Sequence, residues 1–317
     1  MDQIREIVMS WQALDIIDIA GGDEYVVRSL LNLLEDDDPT VRLRALTALN
    51  ELLKESDGRL RRTILREGFV RFVSLLDGPD GRVVARTIEV LRNLLSGSQI
   101  DEDKLLLLID GSISVVRRGD TFLYVSFLDL LKSLELPPLS WRSRMKVEEL
   151  LSKDDIHVKA IGMRLLLDSG SLEGRDGEVI SGIIKLLKSE NVLLLEKGFE
   201  FLQEVLTFHL LPSTMELLVG VLSVLKEVEG SAENVILRSR AASVRTELER
   251  TLFAYYNTRR DEALEVIKRL MERGDVEAGL NLALILGGTS LLLKLWEEDA
   301  ENSDLPLIDL LKSSKPL

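Results

Sequence analysis

At 317 residues, with 45% hydrophobic but only 5% aromatic side chains, the chain can build a large core and must fill it with Leu, Val, Ile and Ala. It has no cysteine, which excludes disulfides, thiolate metal sites and Cys nucleophiles, and only two histidines for metal or acid–base chemistry. A net charge of −14 disfavours a general phosphate binder, and 30% charged residues with few labile ones lean towards a heat-adapted source.

The first twenty residues, MDQIREIVMSWQALDIIDIA, mix charge with apolar side chains and predict an amphipathic helix, not a signal peptide. From residue 26 the pattern sharpens. Val27, Leu30, Leu31 and Leu34 mark a first helix by their three-to-four spacing. Glu35-Asp36-Asp37-Asp38-Pro39 breaks it, with Asp38 placed to cap a second helix and Pro39 at its first position, where a missing N–H costs nothing. That second helix carries Val41, Ala45, Leu49, Leu52 and Leu53 on one face. A shift of 42 residues restores the pattern: Leu33-Leu34 falls on Leu75-Leu76, Val41 on Val83, Leu49 on Leu91, and Leu52-Leu53 on Leu94-Leu95. Further helical hairpins are expected over 101–132, from Leu150 onward, and over 214–252 and 258–286. Pro137-Pro138 suggest a bend that divides an N-terminal part, 1–136, from a C-terminal part, 137–317. The least polar stretch, 278–293, contains Asn281, Gly287 and Gly288 and is too short and broken to span a membrane, so a soluble cytoplasmic protein is expected.

A period near 42 fits HEAT and armadillo arrays and is too long for tetratricopeptide or ankyrin units. The run Leu33-Leu34, Asp38-Pro39-Thr40-Val41-Arg42, Ala45, Leu49 resembles a HEAT repeat, and fragments return at Leu150-Leu151 with Asp154-Asp155 and Val158-Lys159, then at Leu186-Leu187 with Leu194. The resemblance covers most of the chain in helix pattern and about a quarter of it in motif. It implies an all-α, right-handed α-solenoid of about seven degenerate hairpins, capped by residues 3–20 and 304–314 because each unit has faces it cannot bury alone. It also implies that Asp36 and Arg42 stand where the family forms a ladder between repeats.

No enzyme signature meets its mechanical requirement. The sequence has no phosphate loop ending in Gly-Lys-Ser/Thr, no HExxH and no GxSxG elbow. Ser143-Arg144-Met145-Lys146 and Ser223-Val224-Leu225-Lys226 both fit SxxK but lack its partner motifs, and Asp36-Asp37-Asp38 reads as helix capping, not a calcium loop. His157 and His209 read as helix-end residues. Trp11, Trp141 and Trp296 read as packing residues, and Tyr255-Tyr256 beside Arg259-Arg260 reads as one core tyrosine and a solvated helix face. No metal, nucleotide or flavin is therefore expected. The resemblance implies a non-enzymatic scaffold that recognises a protein, with an acidic segment suited to the arginines, along a concave surface of second helices. Helical spacing projects Arg44, Thr47, Glu51, Arg82, Arg86, Glu89 and Asn93 from that surface. The alternative is an RNA-, ribosome- or DNA-associated protein, including a DNA-glycosylase-like one, using Arg59, Arg61, Arg62, Arg66, Arg71, Arg82, Arg86 and Arg92.

Overall fold

Aliphatic residues at three-to-four spacing, interrupted every dozen or so positions by Asp, Asn, Ser, Gly or Pro, leave helices as the elements that bury this sequence. The structure is a computed structural model that describes residues 2–10, 24–55, 58–97, 99–136, 138–170, 172, 174–208 and 210–287. These residues form fifteen α-helices and no strand; a single parallel bridge joins Gln99 to Glu135, each in a connection between one helical hairpin and the next. The first unit, Met1–Ser171, contains α1 (Asp2–Met9), α2 (Glu24–Asn32), α3 (Pro39–Glu55), α4 (Gly58–Leu75), α5 (Gly81–Leu95), α6 (Glu102–Arg117), α7 (Thr121–Lys132), α8 (Trp141–Leu151) and α9 (Ile156–Asp168). The second, Leu172–Leu317, contains α10 (Asp176–Leu187), α11 (Val192–Val205), α12 (Pro212–Ser231), α13 (Val235–Tyr256), α14 (Arg260–Glu272) and α15 (Val276–Leu286). The first unit runs through the 136–140 segment, and the hairpin beyond it stacks on the hairpin before it.

From α2 onward the helices pair into seven hairpins, each with a second helix that opens on an Asp or Asn cap. The side chains of Asp38, Asp80, Asp120, Asp155, Asn191, Asn234 and Asp275 accept from backbone N–H groups of the first turn of α3, α5, α7, α9, α11, α13 and α15. Such a cap satisfies donors that the helix itself leaves unpaired. In the first unit the hairpins form two layers, first helices α2, α4, α6 and α8 in one and second helices α3, α5, α7 and α9 in the other. Second helices approach one another along more of their length than first helices do, as on the inner side of a curved stack. The second unit repeats the arrangement through α13; its last hairpin departs from it, with α15 packed against both α12 and α13.

The expected apolar stripes are buried: Val27, Leu30, Leu31 and Leu34, then Val41, Ala45, Leu49 and Leu52, then Leu75, Leu76, Val83, Leu91, Leu94 and Leu95. Leu53 is only half-buried, one position off the stripe. Of the expected terminal caps, α1 packs on α3, while residues 11–20 and 304–314 lie outside the described residues. Asp36 accepts from Arg5 of α1 at 2.9 Å, and this contact first holds its carboxyl below the usual range; Arg42 adds only its charge. Within each unit, interfaces between hairpins are fastened by residues of their own. Arg118 donates to the carbonyls of Gly78 and Pro79, Glu102 accepts from Ser140 and Ser143, the Tyr124 hydroxyl donates to the His157 carbonyl, and the Thr214 hydroxyl donates to Asp176.

Candidate groove on the second helices

Along α5 the residues that the core stripe leaves outward are Arg82, Ala85, Arg86, Glu89 and Arg92, spaced three or four apart on one face. Leu43 of α3 lies beside this face on one side, and Phe122 and Ser126 of α7 on the other. Together with Ile88 they line a groove of about 470 Å³ on the second-helix layer of the first unit. The alanine makes the depression. Leu43 and Ala85 hold the same position, five residues after their caps, and only the second lacks the side chain to fill the space. Phe122 is 64% exposed and presents an apolar ring at the groove's edge.

Three arginines face one acid in this lining. Arg82 donates through Nε and Nη2 to Asp80, at 3.3 and 2.9 Å, and remains largely exposed. The contact raises the Arg82 pKa and, as its first cause, pulls the Asp80 carboxyl down to about 2. Arg92 is exposed, and its side chain makes no hydrogen bond or ion pair among the described residues. Arg86 donates to Glu89 at 2.7 Å; the other Glu89 oxygen accepts from buried Asn50 of α3 at 2.9 Å, and Asn93 donates to Asn50 at 2.7 Å. Glu89 and Asn93 therefore fasten α5 to α3, with Arg86 holding Glu89 in place.

The structure separates the seven residues expected at this surface. Arg82, Arg86 and Glu89 line the groove. Asn93 is held by Asn50, and Arg44 donates to the Met9 carbonyl at the end of α1 and stands beneath that helix. Thr47 donates to the Leu43 carbonyl of its own helix, and Glu51 pairs with Lys54. Leu43, Ala85, Ile88, Arg92, Phe122 and Ser126 complete the groove and were not among those seven; aligning the chain on its Asp caps places Thr40, Arg82 and Phe122 at one repeat position and would have raised Phe122.

The arginines of residues 59–92 do not form one patch. Arg59 pairs with Glu24, Arg66 with Glu67 and Arg71 with Glu35, all on the first-helix layer, where Arg28 also binds Glu67 at 2.9 Å. Arg61 donates to the carbonyls of Asn93, Leu94 and Ser96 at the end of α5, and Arg62 to the Gly58 carbonyl. Only Arg82, Arg86 and Arg92 reach the groove.

The other residues singled out by the sequence are taken up in internal contacts. Ser143 is buried against Glu102, and Lys146 pairs with Asp110 and Glu149; Lys226 donates to Asn281, which also contacts Ser223. His157 stacks edge-on against Tyr124 and lies 3.2 Å from Asp155. Tyr256 is fully buried, and Arg259 lies over the Tyr255 ring at 4.3 Å. Trp141, expected to pack, is 77% exposed at the start of α8. His209, Trp11 and Trp296 lie outside the described residues. Among the described residues no group of His, Asp and Glu is placed to hold a metal, and no helix is long and apolar enough to cross a membrane.

The HEAT repeat family model matches residues 26–56, which span α2 and α3. The chain is similar to a crystal structure described as the archaeal HEAT-like repeats protein from Thermococcus onnurineus NA1, with a TM-score of 0.64, 25% identity, and coverage of 79% of this chain and 97% of that one. The chain has the HEAT-like repeat fold. Designed armadillo repeat proteins match this HEAT-like array more distantly. One, at 11% identity and a TM-score of 0.41, covers 69% of this chain and 98% of its own. Another, computationally designed for modular peptide recognition, matches at 14% identity and a TM-score of 0.37, covering 78% of this chain and 98% of its own. No curated protein matches the sequence.

Proposed function

We propose that this HEAT-like array is a non-enzymatic scaffold that docks an acidic segment of a partner protein on the second-helix layer of its first unit. The groove carries the reading: Arg82, Arg86 and Arg92 stand over an apolar floor in a chain whose net charge is −14. A local positive surface on an acidic protein orients an acidic partner and speeds encounter at low salt. A guanidinium has five donors, so Arg82 can take a partner carboxylate without giving up Asp80. The same observation disfavours nucleic acid, since the arginines of 59–92 divide between two layers and those on the first-helix layer face Glu24, Glu35 and Glu67.

Affinity capture with the full chain tests this. Arg82→Glu with Arg92→Glu should abolish recovery of the partner, while Arg238→Glu with Arg250→Glu, exposed on α13, should leave it intact. Arg86 is spared because it holds Glu89 against Asn50. Loss of the partner with the α13 pair alone would move the site to the second unit.

A further inference from the structure

The groove specifies more than negative charge. Arg82 and Arg92 are ten residues apart on α5, roughly 15 Å at 1.5 Å rise per residue. Between them lie Ala85, whose short side chain leaves an opening flanked by Leu43 and Phe122, and the ion pair of Arg86 with Glu89, which leaves no unpaired cation at the middle. An extended chain advances about 3.3 Å per residue and alternates its side chains. Residues i and i+4 are thus roughly 13 Å apart on one side, with i+2 between them on that same side. The order along the groove is arginine, apolar seat, arginine, and it matches acid, apolar, acid at alternate positions.

Resting on the scaffold reading above, we infer that the groove takes an extended segment with carboxylates at i and i+4 and an aliphatic or aromatic side chain at i+2. The carboxylates meet Arg82 and Arg92, and the apolar side chain sits over Ala85 between Leu43 and Phe122. Glu89 stays with Asn50 and Arg86, so the centre of the groove offers a third acid no unpaired cation and favours an apolar group. Seating one aliphatic side chain is worth about tenfold or more in affinity.

Three labelled peptides with identical Gly-Ser flanks decide the matter by fluorescence anisotropy against the full chain. Their centres are Glu-Ser-Leu-Ser-Glu, the same composition rearranged as Ser-Glu-Leu-Glu-Ser, and Glu-Ser-Ser-Ser-Glu. The first should bind about tenfold more tightly than either of the others, and its advantage should vanish in Ala85→Leu, which fills the seat, and in Phe122→Ala, an exposed change that leaves the fold intact. Equal affinity for all three would overturn the anchor and its register while leaving an acidic-partner scaffold standing. Preference for the rearranged peptide would overturn the spacing. Binding of none would overturn the segment chemistry, with the scaffold reading then decided separately by the capture experiment.

Discussion

Alanine at Gly198 should destabilise the protein, although alanine in a helix interior ordinarily stabilises it. Gly198 lies inside α11, seven residues after the Asn191 cap, where the second helix crosses the end of its own first helix. A Cβ built there would stand 3.0 Å from the backbone nitrogen of Leu187, 3.0 Å from its Cδ2 and 3.2 Å from Leu186 Cβ. A backbone atom at the end of α10 cannot swing aside as a side-chain tip can, so the helices must part. Relief of glycine's backbone entropy returns about 0.5–1 kcal/mol, and overpacking costs about 1–3 kcal/mol, for a net loss of about 1 kcal/mol. Gly220 in α12 is the internal control: its nearest neighbour would be Asp275 Oδ2 at 3.9 Å, an ordinary contact, so Gly220→Ala should gain about 0.5–1 kcal/mol. With a urea m-value of about 2 kcal/mol/M, the two unfolding midpoints should separate by about 1 M, on opposite sides of the parent. If both variants shift the midpoint upward together, the close crossing of α10 and α11 does not exist in solution and the helix pairing is wrong in detail.

Leu91 is fully buried in α5, and Leu91→Ala should cost about 2–5 kcal/mol in urea unfolding; an unchanged midpoint would mean the core stripe is misplaced. Asp80 titrates at about 2 in the folded protein against roughly 3.9 in an unfolded chain, a depressed value, so its contribution is present above about pH 4 and is lost as the pH falls towards 2. Asp80→Asn keeps an acceptor at the cap but removes that dependence, and its Tm should fall less steeply than the parent's between pH 5 and 2. Titration with a mixed-sequence RNA at rising salt should show no binding at physiological ionic strength; a steep salt slope with submicromolar affinity would contradict the division of the arginines between layers. Circular dichroism should report helix with negligible sheet, in keeping with fifteen helices among the described residues.

The repeat was legible where local chemistry and packing agree. Residues 26–95 carry an apolar stripe, an Asp cap and the 42-residue return at once, and the two hairpins they form follow that order. Beyond them the leucine register decays, yet the caps persist from Asp120 to Asp275, because a side-chain acceptor at a helix start is a local need that each hairpin must meet by itself. The departure of the last hairpin was hidden: α14 and α15 both reach α12 through non-local contacts, Arg269 with Glu216 and Lys226 with Asn281, fifty or more residues apart. The same limit applied to the site. A single helical face put Arg82, Arg86 and Glu89 on the outward side of α5, where they line the groove, but it could not show that α1 would cover Arg44 or that Asn50 would hold Asn93. Arg59 and Arg92 looked alike in the sequence, and only packing sent them to different layers.

Photo-crosslinking tests the central claim most directly. A benzophenone side chain placed at Ser126, on the rim of the groove and outside the Ala85 seat, should give a discrete crosslink to the partner in native lysate, and Arg82→Glu with Arg92→Glu in the same protein should remove it. The same probe at Leu107, exposed on α6 of the first-helix layer, should give none. A partner crosslinked from Leu107 and absent from Ser126 would place recognition on the opposite layer and contradict the account.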